Sequence, residues 1–132
     1  MDLQKFTEKS LSALEFSQND ALQRKNSELT TLHLLNALLL QENGLVPRIL
    51  ETMDLDLSKL SKLLDKSLNS LPSFIGNSAG RIIYSDEMNK VFVNAKNEAN
   101  KLKDEFISVE HLLFALTDVN PRDPVGKIFF EI

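Results

Sequence analysis

Apolar and small residues along this chain recur at intervals of three and four, the spacing of one face of an α-helix. Over about 7–24 the stripe is Ser10, Ala13, Leu14, Ser17 and Ala21, with Phe6 just ahead of it. Thr7 suits the cap of this helix; a start near Asp2 is the alternative, which would put Thr7 one turn inside. The small Ser17 and Ala21 leave room for a close helix neighbour. Thr30 reads as the N-cap of a second helix, to about residue 42, carrying Leu34, Leu35, Leu38 and Leu39. Asn43-Gly44 ends it, with the glycine expected to take the left-handed conformation of a helix C-terminus. Pro47 fits the first turn of a short third helix over 46–53, and Asp54 or Asp56 opens a fourth with Leu57, Leu60, Leu64 and Leu68. Ser85 caps a fifth, to about residue 103, with Val91, Phe92, Ala95 and Ala99 inside. Ser108 caps a sixth, and a seventh follows Pro121 or Pro124 and ends near Ile132. Between the fourth and fifth, the Ser, Pro, Gly and Asn of 70–84 predict a loop. Its Phe74, Ile75, Ile82 and Ile83 predict that the loop lies against the surface. No window alternates with period two, so no sheet is predicted.

The pattern occurs twice. Thr31-Leu32-His33-Leu34-Leu35-Asn36-Ala37-Leu38 returns 78 positions later as Val109-Glu110-His111-Leu112-Leu113-Phe114-Ala115-Leu116. The same shift aligns Phe6 with Tyr84, Thr7 with Ser85, Glu8 with Asp86, Ala21 with Ala99, Lys25 with Lys103 and Leu29 with Ile107. A register held without a gap across both flanks marks a tandem duplication. The expectation is an all-α domain of two pseudo-symmetric repeats of about four helices each, repeat one over about 1–69, a linker over about 70–84 and repeat two over about 85–132.

At 132 residues the chain can bury about two-thirds of its unfolded surface, and its 26% charged content is ordinary for a folded domain. A net charge of -4 argues against nucleic acid as a partner, since phosphate neutralisation needs a basic face. The absence of cysteine removes disulfides, a zinc knuckle and a thiol nucleophile. Met1-Asp2-Leu3-Gln4-Lys5 reads as the start of a polar helix and not a signal peptide, and Leu112-Leu113-Phe114-Ala115-Leu116 is far too short to span a bilayer. These features predict a soluble cytoplasmic domain without membrane or nucleic-acid partners.

Candidate chemistry is sparse. His33 and His111 are the only histidines, at equivalent places in the two repeats, which suits hydrogen bonding in a first helical turn better than metal ligation. Asp104 with Glu110 reads either as a solvated loop aspartate beside a dipole-favoured first-turn glutamate, as a substrate contact, or as an acid/base pair. No nucleophile stands with an orienting base. Gly126-Lys127 is not a phosphate loop, because Pro121 stands where the earlier glycine belongs and Ile128 where Ser or Thr belongs.

Several segments together resemble the N-terminal Clp repeat domain of the Clp AAA+ unfoldases. They are Phe6-Thr7-Glu8, His33-Leu34-Leu35, and the run from Phe106-Ile107-Ser108 through Val109-Glu110-His111 to Leu112-Leu113. Leu71-Pro72 and the stretch Gln41-Glu42-Asn43-Gly44-Leu45-Val46-Pro47-Arg48-Ile49-Leu50 look most like the ClpB disaggregase branch. The resemblance implies a compact helical module tethered above a hexameric ATPase ring, itself monomeric and without a cofactor, ATP and Mg belonging to separate ATPase modules. It implies a non-catalytic role in which unfolded or aggregated polypeptides are captured for the ring. Docking of an adaptor protein, as in the protease-associated ClpC and ClpA type, is the alternative.

Thr7, Asp104 and Glu110 match the family's substrate-contact positions, implying a groove between the first, fifth and sixth helices. Asn94 and Glu98 stand at fifth-helix positions that are apolar in some members, which implies a less oily groove. Leu32 replaces a glutamate of the phosphoarginine-binding branch, so a paired phosphoarginine site is not expected. The family domain continues through an eighth helix that is missing from this sequence, which leads one to expect uncovered apolar surface around Leu116 and Ile128.

Overall fold

The structure, a computed structural model, describes residues 3–74 and 82–132. A single 3₁₀ turn, Leu3–Lys5, precedes α1 (Glu8–Gln23). After β1 (Glu28–Leu29) come α2 (Thr31–Leu40), α3 (Leu45–Thr52) and α4 (Leu57–Asn69). The second half runs through β2 (Ile83–Tyr84), α5 (Asp86–Lys101), α6 (Val109–Thr117) and α7 (Pro124–Glu131).

Local chemistry sets the helix starts. Thr7 is extended and its Oγ1 accepts the Ser10 N–H at 3.2 Å, so α1 starts there and not at Asp2. Ser85 does the same for α5, accepting the Met88 N–H at 3.1 Å. Asp56, and not Asp54, opens α4 through the Lys59 N–H, while Pro124 stands at the start of α7. The ends of α1 and α5 are also copies. Lys25 and Lys103 turn left-handed at φ 59 and 58. Behind them the Asn26 and Asp104 N–H groups reach back to the Ala21 and Ala99 carbonyls at 3.0 and 2.8 Å, closing Schellman motifs.

α2 and α6 form the centre. Every residue from Thr31 to Leu38 is buried, so α2 is apolar nearly all round because helices surround it. α1 and α5 flank α2 and α6 respectively, and α2 and α6 also touch each other. The cross-contacts come in mates, α1 with α6 and α2 with α5, α3 with α6 and α2 with α7, as a pseudo-twofold axis between α2 and α6 requires.

Three expectations are corrected. A small parallel pairing exists where no sheet was predicted: β1 pairs with β2, and Phe6 bridges Ile107 in the same sense. Two-residue strands are too short to alternate visibly, and helix termini meeting in space bring them together. These contacts are repeat mates, with Thr7 N–H on the Ile107 carbonyl at 3.1 Å and Ser85 N–H on the Leu29 carbonyl at 3.0 Å. Next, α2 ends at Leu40, and Asn43 takes the left-handed turn at φ 54 while Gly44 sits at φ -71. Asparagine tolerates that region; glycine is needed instead for closeness, since a Cβ there would lie 2.9 Å from the Gln41 Cβ. Finally, Leu116 and Ile128 are buried, because α7 folds back against α2, α4 and α6. In the linker, Phe74 and Ile82 are half-buried and Ile83 is 63% exposed; Ile75 lies outside the described residues.

Candidate functional site

The two histidines hold the α2 and α6 starts in the same way. The Thr30 N–H donates to His33 Nδ1 at 2.9 Å, and Ser108 N–H to His111 Nδ1 at 2.9 Å. A backbone N–H only donates, so each Nδ1 carries a lone pair and each Nε2 a proton. His33 Nε2 donates to Asn26 Oδ1 at 2.8 Å and His111 Nε2 to Asp104 Oδ2 at 2.9 Å. Both rings are thereby spent on structure, as capping partners at the third helical position. Burial lowers the His33 pKa to about 4, with the Asp20 carboxylate opposing and the Arg24 guanidinium adding to it.

Thr7 and Glu110 share one open cleft of about 540 Å³. The capped start of α1 supplies Thr7, Glu8 and Lys9; the capped start of α6 supplies Ser108, Val109 and Glu110; Gln41, Asn43 to Leu45 and Arg48 close the third side. Glu110 is half-buried in the first turn of α6, where the helix dipole favours its charge.

Asp104 is held elsewhere. It lies on an adjoining cleft of about 330 Å³ bounded by α5 and the loop into α6, floored by Phe92, Ala99 and Ile107, and edged by Lys5, Lys96 and Glu105. The Phe6–Ile107 pairing separates the two, since Lys5 and Ile107 line one cleft and Thr7 and Ser108 the other. The geometry thus brings Thr7 and Glu110 together and sets Asp104 across that ridge, hydrogen-bonded to His111. A third cleft, about 680 Å³ between α5 and α6, carries Asn94 and Glu98 together with Phe114 and Asp118.

Sequence reasoning missed Lys5, Val93 and Lys96 on the Asp104 cleft, and Lys9 and Arg48 on the other. Val93 carries the one readable signal, a large apolar residue off the buried stripe of α5 and 59% exposed. Among the described residues no group of three or more His, Cys, Asp or Glu is arranged to hold a metal, and no helix is long and apolar enough to cross a membrane.

Comparison with known proteins places this architecture. Over 133 residues the chain is 39% identical to the chaperone protein ClpB of Nitratidesulfovibrio vulgaris, covering 99% of this chain and 15% of that one. It is 35% identical to ClpB of Bacillus cereus over 134 residues, again 15% of the relative's length. The chain therefore spans about 15% of these relatives. Among solved structures, the Hsp104 N-terminal domain of Candida albicans superposes with a TM-score of 0.85 at 21% identity, over 96% of this chain and 81% of that one. The N-terminal domain of the ClpV1 ATPase from E. coli gives 0.81 at 25% identity, over 96% and 77%. A family model, the Clp repeat (R) N-terminal domain, matches residues 5–128 and so takes in both repeats. The chain belongs to the Clp repeat N-terminal domain family.

Proposed function

We propose that this chain is the client-binding N-terminal domain of a ClpB-like, ATP-dependent disaggregase, capturing unfolded or aggregated polypeptides for an AAA+ ring. One observation carries the reading: two open clefts flank the Phe6–Ile107 ridge, one floored by apolar side chains and both edged by charges of either sign. Such a surface suits an extended polypeptide with mixed side chains better than a small polar metabolite. Thr7 and Glu110 would contact the client from one cleft and Asp104 from the other. Ordering an extended chain costs entropy, so each domain binds weakly, and six linked copies on a hexamer would raise the effective concentration.

Glu110→Ala tests this in calorimetry against a permanently unfolded protein, reduced and carboxymethylated α-lactalbumin. Loss of a charge-assisted contact is expected to weaken binding by roughly tenfold. Unchanged affinity in a folded variant removes Glu110 from the site. No binding by the parent at high micromolar concentration would sink the client reading in favour of adaptor docking.

A further inference from the structure

Asn43 is the only asparagine in the chain that is followed by glycine. Its repeat mate, 78 positions on, is Pro121 followed by Arg122, so repeat two has no counterpart. The pair forms the turn between α2 and α3. Asn43 is exposed, Gly44 is buried, and the Gly44 N–H donates to the Gln41 carbonyl at 3.1 Å. An asparagine before glycine is open to an intramolecular reaction, because no side chain shields the following backbone nitrogen. That nitrogen attacks the Asn43 Cγ; a C–N bond forms, the side-chain nitrogen leaves as ammonia, and a succinimide ring closes. Water then opens the ring at either carbonyl. One opening gives aspartate. The other gives isoaspartate, in which the main chain runs through the former side chain and is one methylene longer.

The folded turn opposes this reaction in two ways. Ring closure needs the Gly44 nitrogen on the same side of the Asn43 Cα–C bond as Cβ. Asn43 is left-handed at φ 54, and the positive ψ of that region turns the nitrogen nearly opposite Cβ. The attacking nitrogen must also lose its proton, and that N–H is held by the Gln41 carbonyl.

The two products differ in what the turn can accept. Aspartate tolerates the left-handed region as asparagine does. Isoaspartate inserts a methylene ahead of Gly44, where even an added Cβ would lie 2.9 Å from the Gln41 Cβ and 3.0 Å from its carbonyl oxygen. Val46 and Leu50 just beyond are buried in the core, so α3 has no slack to take up the extra atom.

We propose that Asn43-Gly44 is a deamidation site gated by the α2–α3 turn. The closed turn preserves the asparagine. Opening of the turn, or unfolding of the domain, releases the reaction, and the isoaspartyl product cannot rebuild the turn. The modification is thus an irreversible record that the domain has opened. Asn43 and Gly44 line the cleft that holds Thr7 and Glu110, so the mark falls on that cleft's third side.

The parent protein, folded in buffer or unfolded in guanidinium chloride, is incubated at one mildly alkaline pH and mapped by tryptic mass spectrometry. Enzymatic methyl esterification identifies the isoaspartate. Asn43→Gly, which keeps a residue suited to the left-handed region and removes the amide, is the unreactive control. In the unfolded chain residue 43 is expected to convert faster than every other asparagine, and in the folded domain at least roughly tenfold more slowly than that. After refolding, the isoaspartyl domain should unfold at a lower urea concentration than the parent, while Asn43→Asp, which adds the charge alone, unfolds with the parent. Equal conversion in the folded and unfolded chains overturns the gate. No preference for residue 43 in the unfolded chain overturns the site, and an isoaspartyl domain of parental stability overturns the irreversible record.

Discussion

Gly126→Ala is expected to lower the stability of the domain by about 2–3 kcal/mol, although alanine for glycine inside an ordinary helix gains up to ~1 kcal/mol. The sign is reversed by what Gly126 touches. An added Cβ would lie 2.3 Å from the Asn120 carbonyl oxygen and 2.9 Å from the Pro121 Cα, both backbone atoms of the turn before α7. Neither can rotate away, so α7 would have to lift. Val125 and Ile128, buried on either side, oppose that movement. Urea denaturation of parent and variant checks it; equal or greater stability of the variant would mean that α7 is not seated on the 120–121 turn.

The second large effect is a loss of stability in mild acid. His33 is fully buried and its pKa falls from 6.5 to about 4, first through desolvation. The unfolded chain therefore takes up this proton at a higher pH than the folded one. Stability is fully present above about pH 6.5 and is lost progressively as pH falls towards 4, by about 3 kcal/mol from this group. Protonating Nδ1 also removes the acceptor for the Thr30 N–H. His33→Gln is the informative comparison, because glutamine at the third helical position still reaches the capping backbone. Its unfolding free energy should fall less steeply between pH 6.5 and 4 than the parent's; parallel slopes would show that His33 is not the titrating group.

The helices and the duplication were legible because caps and apolar spacing are local. Thr7, Thr30, Ser85 and Ser108 each stand one residue before the helix they start, as their side chains suggest. What escaped depended on distant partners. The Phe6–Ile107 pairing joins residues about a hundred positions apart, and two paired residues leave no periodic trace. The need for glycine at Gly126 lies in the approach of Asn120, which no property of the GK dipeptide reveals. For the candidate site, the family resemblance named Thr7, Asp104 and Glu110 together, and the fold sets Thr7 and Glu110 on one cleft. The resemblance could not show the ridge that sets Asp104 beyond that cleft, nor His111 holding one of its oxygens.

The reciprocal strand contacts have a consequence for the unit that folds. Phe6 meets Ile107 and Leu29 meets Tyr84, so the sixth position of each repeat meets the twenty-ninth of the other. Contact of i with j matched by j with i defines an isologous interface, the kind that joins two identical subunits. The domain is thus built as a fused homodimer, and neither repeat owns all the backbone partners it uses. Cutting the chain between residues 74 and 82 should leave two pieces that co-elute in gel filtration as a one-to-one complex and lose structure when separated. Pieces that part and stay folded would contradict this. A lone ancestral repeat of the same sequence pattern would have had to pair with a copy of itself.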